Sequence, residues 1–246
     1  MPSSNTISPA SPEKIDNLVG NFAIGVRPTG SQDPYALRRQ ALGIVAIVLG
    51  SNLELDLTRL IRSSYREYAV SLDLTEEETV NSVLDFILLR LRGVLQDEGI
   101  AYDVLDAVMN LNTSQLLQFG ERARALAEIK EQPYFEDLMV AFNRPFNLSR
   151  KGRGGQVRVE LFEDQAEREL FEVTQRMTQE LAGYLDQRKY SAYCEKLAAV
   201  RPFLDTYFTR IMVMVEDDQV RENRLALLSR VVQLFLAFAD FSKLVL

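Results

Sequence analysis

Apolar residues return every three or four positions along almost the whole chain, and glycine, proline or asparagine closes each run. That period matches the turn of a helix, so the chain has to fold as a series of helices that each bury one stripe. Leu37, Ala41, Ile44, Val45 and Val48 share a face, with Gly50 as the stop. Leu57, Leu60, Ile61 and Tyr65 mark the next helix, and Val80, Val83, Leu84, Ile87, Leu91 and Val94 the one after it. Thr75 with Glu78 reads as a capping box, and Glu76 and Glu77 suit the positive end of the helix dipole. Asp33 followed by Pro34 predicts a helix start, after a short helix over residues 14–22 and a turn cluster of Gly25, Pro28 and Gly30. The pattern continues over residues 102–111, 114–131, 135–142, 164–185 and 189–200, then in a Pro202-initiated helix to about residue 215. A long final helix from Asp217 carries the stripe Leu225, Leu228, Val232, Phe235 and Phe238. No fixed repeat points to a solenoid, so the expected class is all-α, a helical bundle in two packed regions.

An apolar share near one half over 246 residues suffices for one large core or two smaller ones. No apolar run approaches the roughly 20 residues of a membrane span, and the opening residues lack the charge and apolar core of a secretory signal. A soluble chain with no membrane association is expected, with residues 1–12 a disordered leader. Cys194 is the single cysteine, which excludes an internal disulfide or a cysteine-rich metal centre and fits a cytoplasmic compartment. The chain has no histidine, which removes the commonest general base and metal ligand, so a self-contained catalytic site is not expected. Asp217, Asp218 and Glu76 to Glu78 are read as helix N-terminal charges rather than metal ligands, and Cys194 as buried packing.

The formal charge of −7 argues against a polyanionic ligand until its distribution is considered. Residues 143–159 carry Arg144, Arg150, Lys151, Arg153 and Arg158 and no acid, which puts +5 in that window and −12 in the rest of the chain. Pro145, Gly152, Gly154 and Gly155 interrupt the helical pattern there, so the expectation is a mobile basic loop. A solvated linker would carry the same charges. Residues 157–161 alternate weakly, as a strand would, without an evident partner.

Two strings go further than pattern. DNLVG at residues 16–20 with GVRPTGSQDPYALRR at residues 25–39 closely resembles a signature of the β subunit of bacterial-type glycyl-tRNA synthetase. IMVMVEDDQVRENRLALL at residues 211–228 is similar to the closing signature of the DALR anticodon-binding domain, and AFNRPFN at residues 141–147 resembles its opening. The Asp-Ala-Leu-Arg element keeps only its outer residues here, as Asp218 and Arg221. The resemblance covers residue 14 to the end and corresponds to the C-terminal portion of a longer subunit. It implies an HD-like helical region and linker over residues 13–132 and an anticodon-binding bundle over residues 133–246.

The resemblance implies tRNA(Gly) and the synthetase α subunit as partners, in a heterotetramer of two α and two β subunits, with no DNA. Glycine attachment would be the work of the complex, with ATP and Mg used by the α subunit and no cofactor in this chain. Arg144, Arg150, Lys151, Arg153 and Arg158 are the candidate backbone contacts, with Asn147 a candidate for base-edge hydrogen bonds. Phe146 reads either as a stacking platform for an unpaired base or as core. Arg38 and Arg39 could meet a phosphate, a carboxylate of this chain or the partner subunit, and Arg224 faces either solvent or the RNA. The competing reading is a helical scaffold that binds a protein partner without RNA contact.

Overall fold

The computed structural model describes residues 10–28, 32–33, 35–68, 72–109 and 114–245. They form α1 (Ala10–Ala23), α2 (Leu37–Gly50), α3 (Leu57–Glu67), α4 (Glu76–Asp97), α5 (Tyr102–Met109) and α6 (Leu116–Lys130). There follow α7 (Phe135–Ser149), α8 (Gln165–Asp186), α9 (Tyr190–Ala198), α10 (Arg201–Arg210) and α11 (Asp218–Leu236), with no strand among the described residues. The class is all-α, and no described helix is long and apolar enough to cross a membrane. Two compact units divide the chain, Met1–Leu105 with Asn112–Ala123, and Asp106–Leu111 with Arg124–Leu246.

In the first unit α1 packs on α2, α3 and α4, and α4 also packs on α2 and α3. Leu18, Val19 and Phe22 of α1 are buried, and so is the Leu37, Ala41, Ile44, Val45 and Val48 face of α2 that its spacing predicts. Thr75 and Glu78 form the expected capping box at the start of α4. Its two bonds, a carboxylate accepting from the Thr75 hydroxyl and backbone N–H, hold the Glu78 carboxyl below its usual range. Helix α2 starts later than expected. Ala36 takes a left-handed conformation at φ 52°, and the Asp33 carboxylate reaches past it to accept from the N–H groups of Leu37 at 2.8 Å and Arg38 at 3.0 Å. Pro34, the expected first helical residue, lies outside the described residues. Gly20 lies against the Tyr68 ring, and a Cβ there, 2.3 Å from the hydroxyl oxygen, would make that side chain move.

In the second unit α7 packs against α9, α10 and α11, and α8 against α9, α10 and α11. Phe142, Phe235 and Phe241 meet at its centre with ring centroids 5.4 to 5.6 Å apart, and Phe238 joins Tyr190 and Tyr193 beside them. Three sequence expectations are corrected here. Helix α7 does not stop at residue 142 but runs through Pro145 to Ser149. An interior proline costs about 3 kcal/mol through its missing N–H and ring clash. Burial of Ala141, Phe142 and Pro145 offsets that, at about 1.5–3 kcal/mol for an enclosed aromatic or aliphatic side chain. Helix α10 stops at Arg210, and the chain continues outside the helix with Ile211 and Val213 buried and Met212 and Met214 exposed. The alternating stretch near residue 160 is a single 3-10 turn, Val159–Leu161, rather than a strand.

Candidate nucleic-acid interface

The first turns of α11 hold the basic segment that follows α7. Asp217 caps the helix, accepting from the N–H groups of Gln219 at 2.8 Å and Val220 at 3.0 Å. Asp218 ion-pairs with Arg221 and, at 3.1 Å, with Arg153. Arg221 in turn donates to the carbonyls of Val215 at 2.8 Å and Glu216 at 3.2 Å. Glu222 accepts from the Arg153 backbone N–H at 2.8 Å. Asn223, buried, accepts from the Arg158 N–H at 2.7 Å and donates to the Arg158 carbonyl at 2.9 Å, satisfying both ends of its amide. The family-like string at residues 211–228 is therefore largely a clamp, and the segment it grips is not a free loop.

Gly152 belongs to that clamp. A Cβ on it would stand 2.9 Å from the Leu225 Cβ and 3.4 Å from the Ser149 carbonyl, so its role is close packing rather than looseness. Gly154 and Gly155 differ, with φ of +79° and +138° and open space around them. Gly152→Ala is expected to lower stability by about 1–3 kcal/mol, because backbone and a helical Cβ cannot yield cheaply. A urea titration that leaves the midpoint unchanged would show that the segment does not pack this way.

The predicted site residues then separate into groups. Arg144, Asn147 and Lys151 recur at helical spacing along the exposed side of α7 and its end, with Arg150 beside them, and all four are exposed. The Arg144 guanidinium lies 3.9 Å over the Phe208 ring of α10, and that of Arg150 lies 5.5 Å over Phe146. Among the described residues no carboxylate pairs with Arg144, Arg150 or Lys151. Phe146 is half-buried and stacked on Phe142 with centroids 4.8 Å apart, which places it with the core. Arg153 is exposed but paired with Asp218, and Arg158 is exposed with its backbone fixed by Asn223. Arg38 and Arg39 belong to the first unit, on the first turn of α2.

Arg224 is the correction. Its side chain is only 5% exposed and turns inward to bond Glu167 at 2.9 Å, Glu163 at 2.6 Å and the Met212 carbonyl at 3.1 Å. Burial disfavours its charge, but the Glu167 and Glu163 carboxylates more than compensate and hold the guanidinium above its usual value. Glu167, fully buried, also accepts from the N–H groups of Glu163 at 2.8 Å and Asp164 at 3.0 Å at the start of α8. Two participants escaped the sequence reading, Phe208 as the platform for Arg144 and Asn223 as the clamp. Neither carries a local signal, because each acts on residues 64 or 65 positions away.

Residues 138–238 match the family described as DALR anticodon binding domain, so the second unit is a helical anticodon-binding-type domain. Residues 3–110 match the family described as glycyl-tRNA synthetase beta subunit. Similar proteins include the glycine–tRNA ligase beta subunits of Syntrophomonas wolfei, 43% identical over 95% of this chain and 34% of the relative, and of Desulforamulus reducens, 41% identical over the same shares. That of Desulforudis audaxviator is 41% identical over 94% of this chain and 34% of its own length. The chain belongs to the glycine–tRNA ligase beta subunit family. It spans about a third of the length of the curated relatives it matches.

Proposed function

We propose that this chain is the tRNA-gripping portion of a glycine–tRNA ligase β subunit, with the exposed α7 face as the contact to tRNA(Gly). The observation that supports the reading most is the trio Arg144, Arg150 and Lys151, exposed and without carboxylate partners in a chain of net charge −7. Cations left unmatched on an acidic protein suit a polyanion, because each phosphate they neutralise releases counterions. Asn147 on the same face supplies both a donor and an acceptor for the edge of an unpaired base, and Arg144, spread on Phe208, offers its outer surface for stacking. Arg158, adjoining a cleft lined by Gly155, Glu222 and Asn223, would extend the contact along the backbone. Arg153, already paired, contributes less.

In this reading the ATP- and Mg-dependent attachment of glycine belongs to the complex with the α subunit, in a cytoplasmic heterotetramer of two α and two β subunits. The chain described here recognises and holds. Titrating it with tRNAs that differ only in the anticodon, at several salt concentrations, tests the proposal. Tighter binding of glycine anticodons with a steep salt dependence is the expected result. Equal affinity for every anticodon would reduce the face to charge attraction, and no binding at all, with capture of an α subunit, would favour the protein scaffold.

A further inference from the structure

A second concentration of positive charge lies in the first unit. Arg90 of α4 holds its guanidinium 3.7 Å over the Phe86 ring, and its Nη1 donates to the Phe86 carbonyl at 3.1 Å. Phe86 packs on Phe22 with centroids 5.0 Å apart. Arg27 lies 6.0 Å over Phe22 and donates through Nη2 to the Ser82 hydroxyl at 2.8 Å. Ser82, Phe86 and Arg90 recur every four residues, so one stripe of α4 organises the arrangement and two guanidinium groups flank a single aromatic pair.

A direct ion pair is what Arg27 and Arg90 lack. Among the described residues neither Arg27 nor Arg90 pairs with a carboxylate. Burial first, and then the neighbouring charge of Arg38, push the Arg90 guanidinium below its usual value, and Asp33 only partly opposes them. Asp33 makes its hydrogen bonds to the start of α2, one from each oxygen, and acts on Arg90 only through its charge. An arginine does not give up its proton in a protein, so both guanidinium groups stay charged and able to pair with an anion. Stacking on Phe86 holds the planar fork of Arg90 in place, which reduces the ordering cost of binding a ligand with two parallel acceptors.

The geometry points to a phosphate-binding site on the first unit, built from Arg27 and Arg90 on either side of the Phe22 and Phe86 pair, with Arg38 adjoining. The ligand is phosphate-bearing, either the backbone of an RNA or a small phosphate compound. The site shares no residue with the α7 face.

Inorganic pyrophosphate, titrated into the full chain at constant ionic strength, tests it. Binding to the unaltered protein should weaken about tenfold or more in Arg90→Gln and in Arg27→Gln, the loss of a charge-assisted hydrogen bond. Arg27 is exposed, so its variant keeps the fold even where the half-buried Arg90 does not. Arg90→Lys, which retains charge without the fork, should fall between. If the natural ligand is RNA, Arg27→Gln also lowers the salt slope of tRNA binding by about 0.7–0.9 and pyrophosphate competes with tRNA. If the pyrophosphate affinity falls while tRNA binding does not change, the ligand is a small phosphate compound. Equal pyrophosphate affinity in the unaltered protein and both glutamine variants overturns the site, whatever becomes of tRNA binding at α7.

Discussion

Replacing Arg144, Arg150 and Lys151 together by glutamine is expected to weaken tRNA binding about 100-fold at 0.1 M salt, with the loss shrinking toward 1 M. The size follows from counterion release, at about 0.7 of a decade in affinity per decade in salt for each phosphate contact to a single strand. Three contacts amount to about two units of slope. Stability should change little, because all three side chains are exposed and without carboxylate partners among the described residues. Arg153→Gln makes the informative comparison. That residue carries the same charge in the same segment, but Asp218 at 3.1 Å already balances it, so its removal should cost much less binding. A triple variant with the slope of the unaltered chain would move the contact away from α7.

Arg224→Met is expected to produce the largest loss of stability, about 3 kcal/mol in a urea titration. Breaking a buried pair from one side leaves the other charge stranded, at a cost of about 3–5 kcal/mol. The two backbone N–H groups that still reach Glu167 argue for the lower end of that range. Neutralising the survivor should help, so the Arg224→Met, Glu167→Gln double variant is expected to be more stable than Arg224→Met alone. Below its unfolding transition, the single variant should keep the salt slope of tRNA binding. An Arg224 variant of full stability and altered slope would return that arginine to the RNA surface.

The contrast between these arginines marks how far the sequence could be read. Capping residues such as Thr75, Glu78 and Asp217 act within three positions of themselves, so their helices were legible from spacing alone. The exposed stripe of α7 was legible in charge but not in form, because Pro145 reads as a helix breaker until the packing that outweighs it is known. Arg224 was misread because isolated charge implies solvent, and its acidic partners lie 57 and 61 residues earlier. Gly152 was misread as freedom for a similar reason, since the Leu225 Cβ that forbids a side chain there comes from α11.

Cys194 sits wholly inside the second unit, among Tyr190, Tyr193 and Leu197, and it is the chain's single thiol. A reagent that alkylates thiols can therefore reach this protein only when that unit opens, and each modified molecule records one such event. The rate of labelling becomes a clock for local unfolding that needs no engineered probe. A ligand that binds the closed unit must slow the clock by its own occupancy.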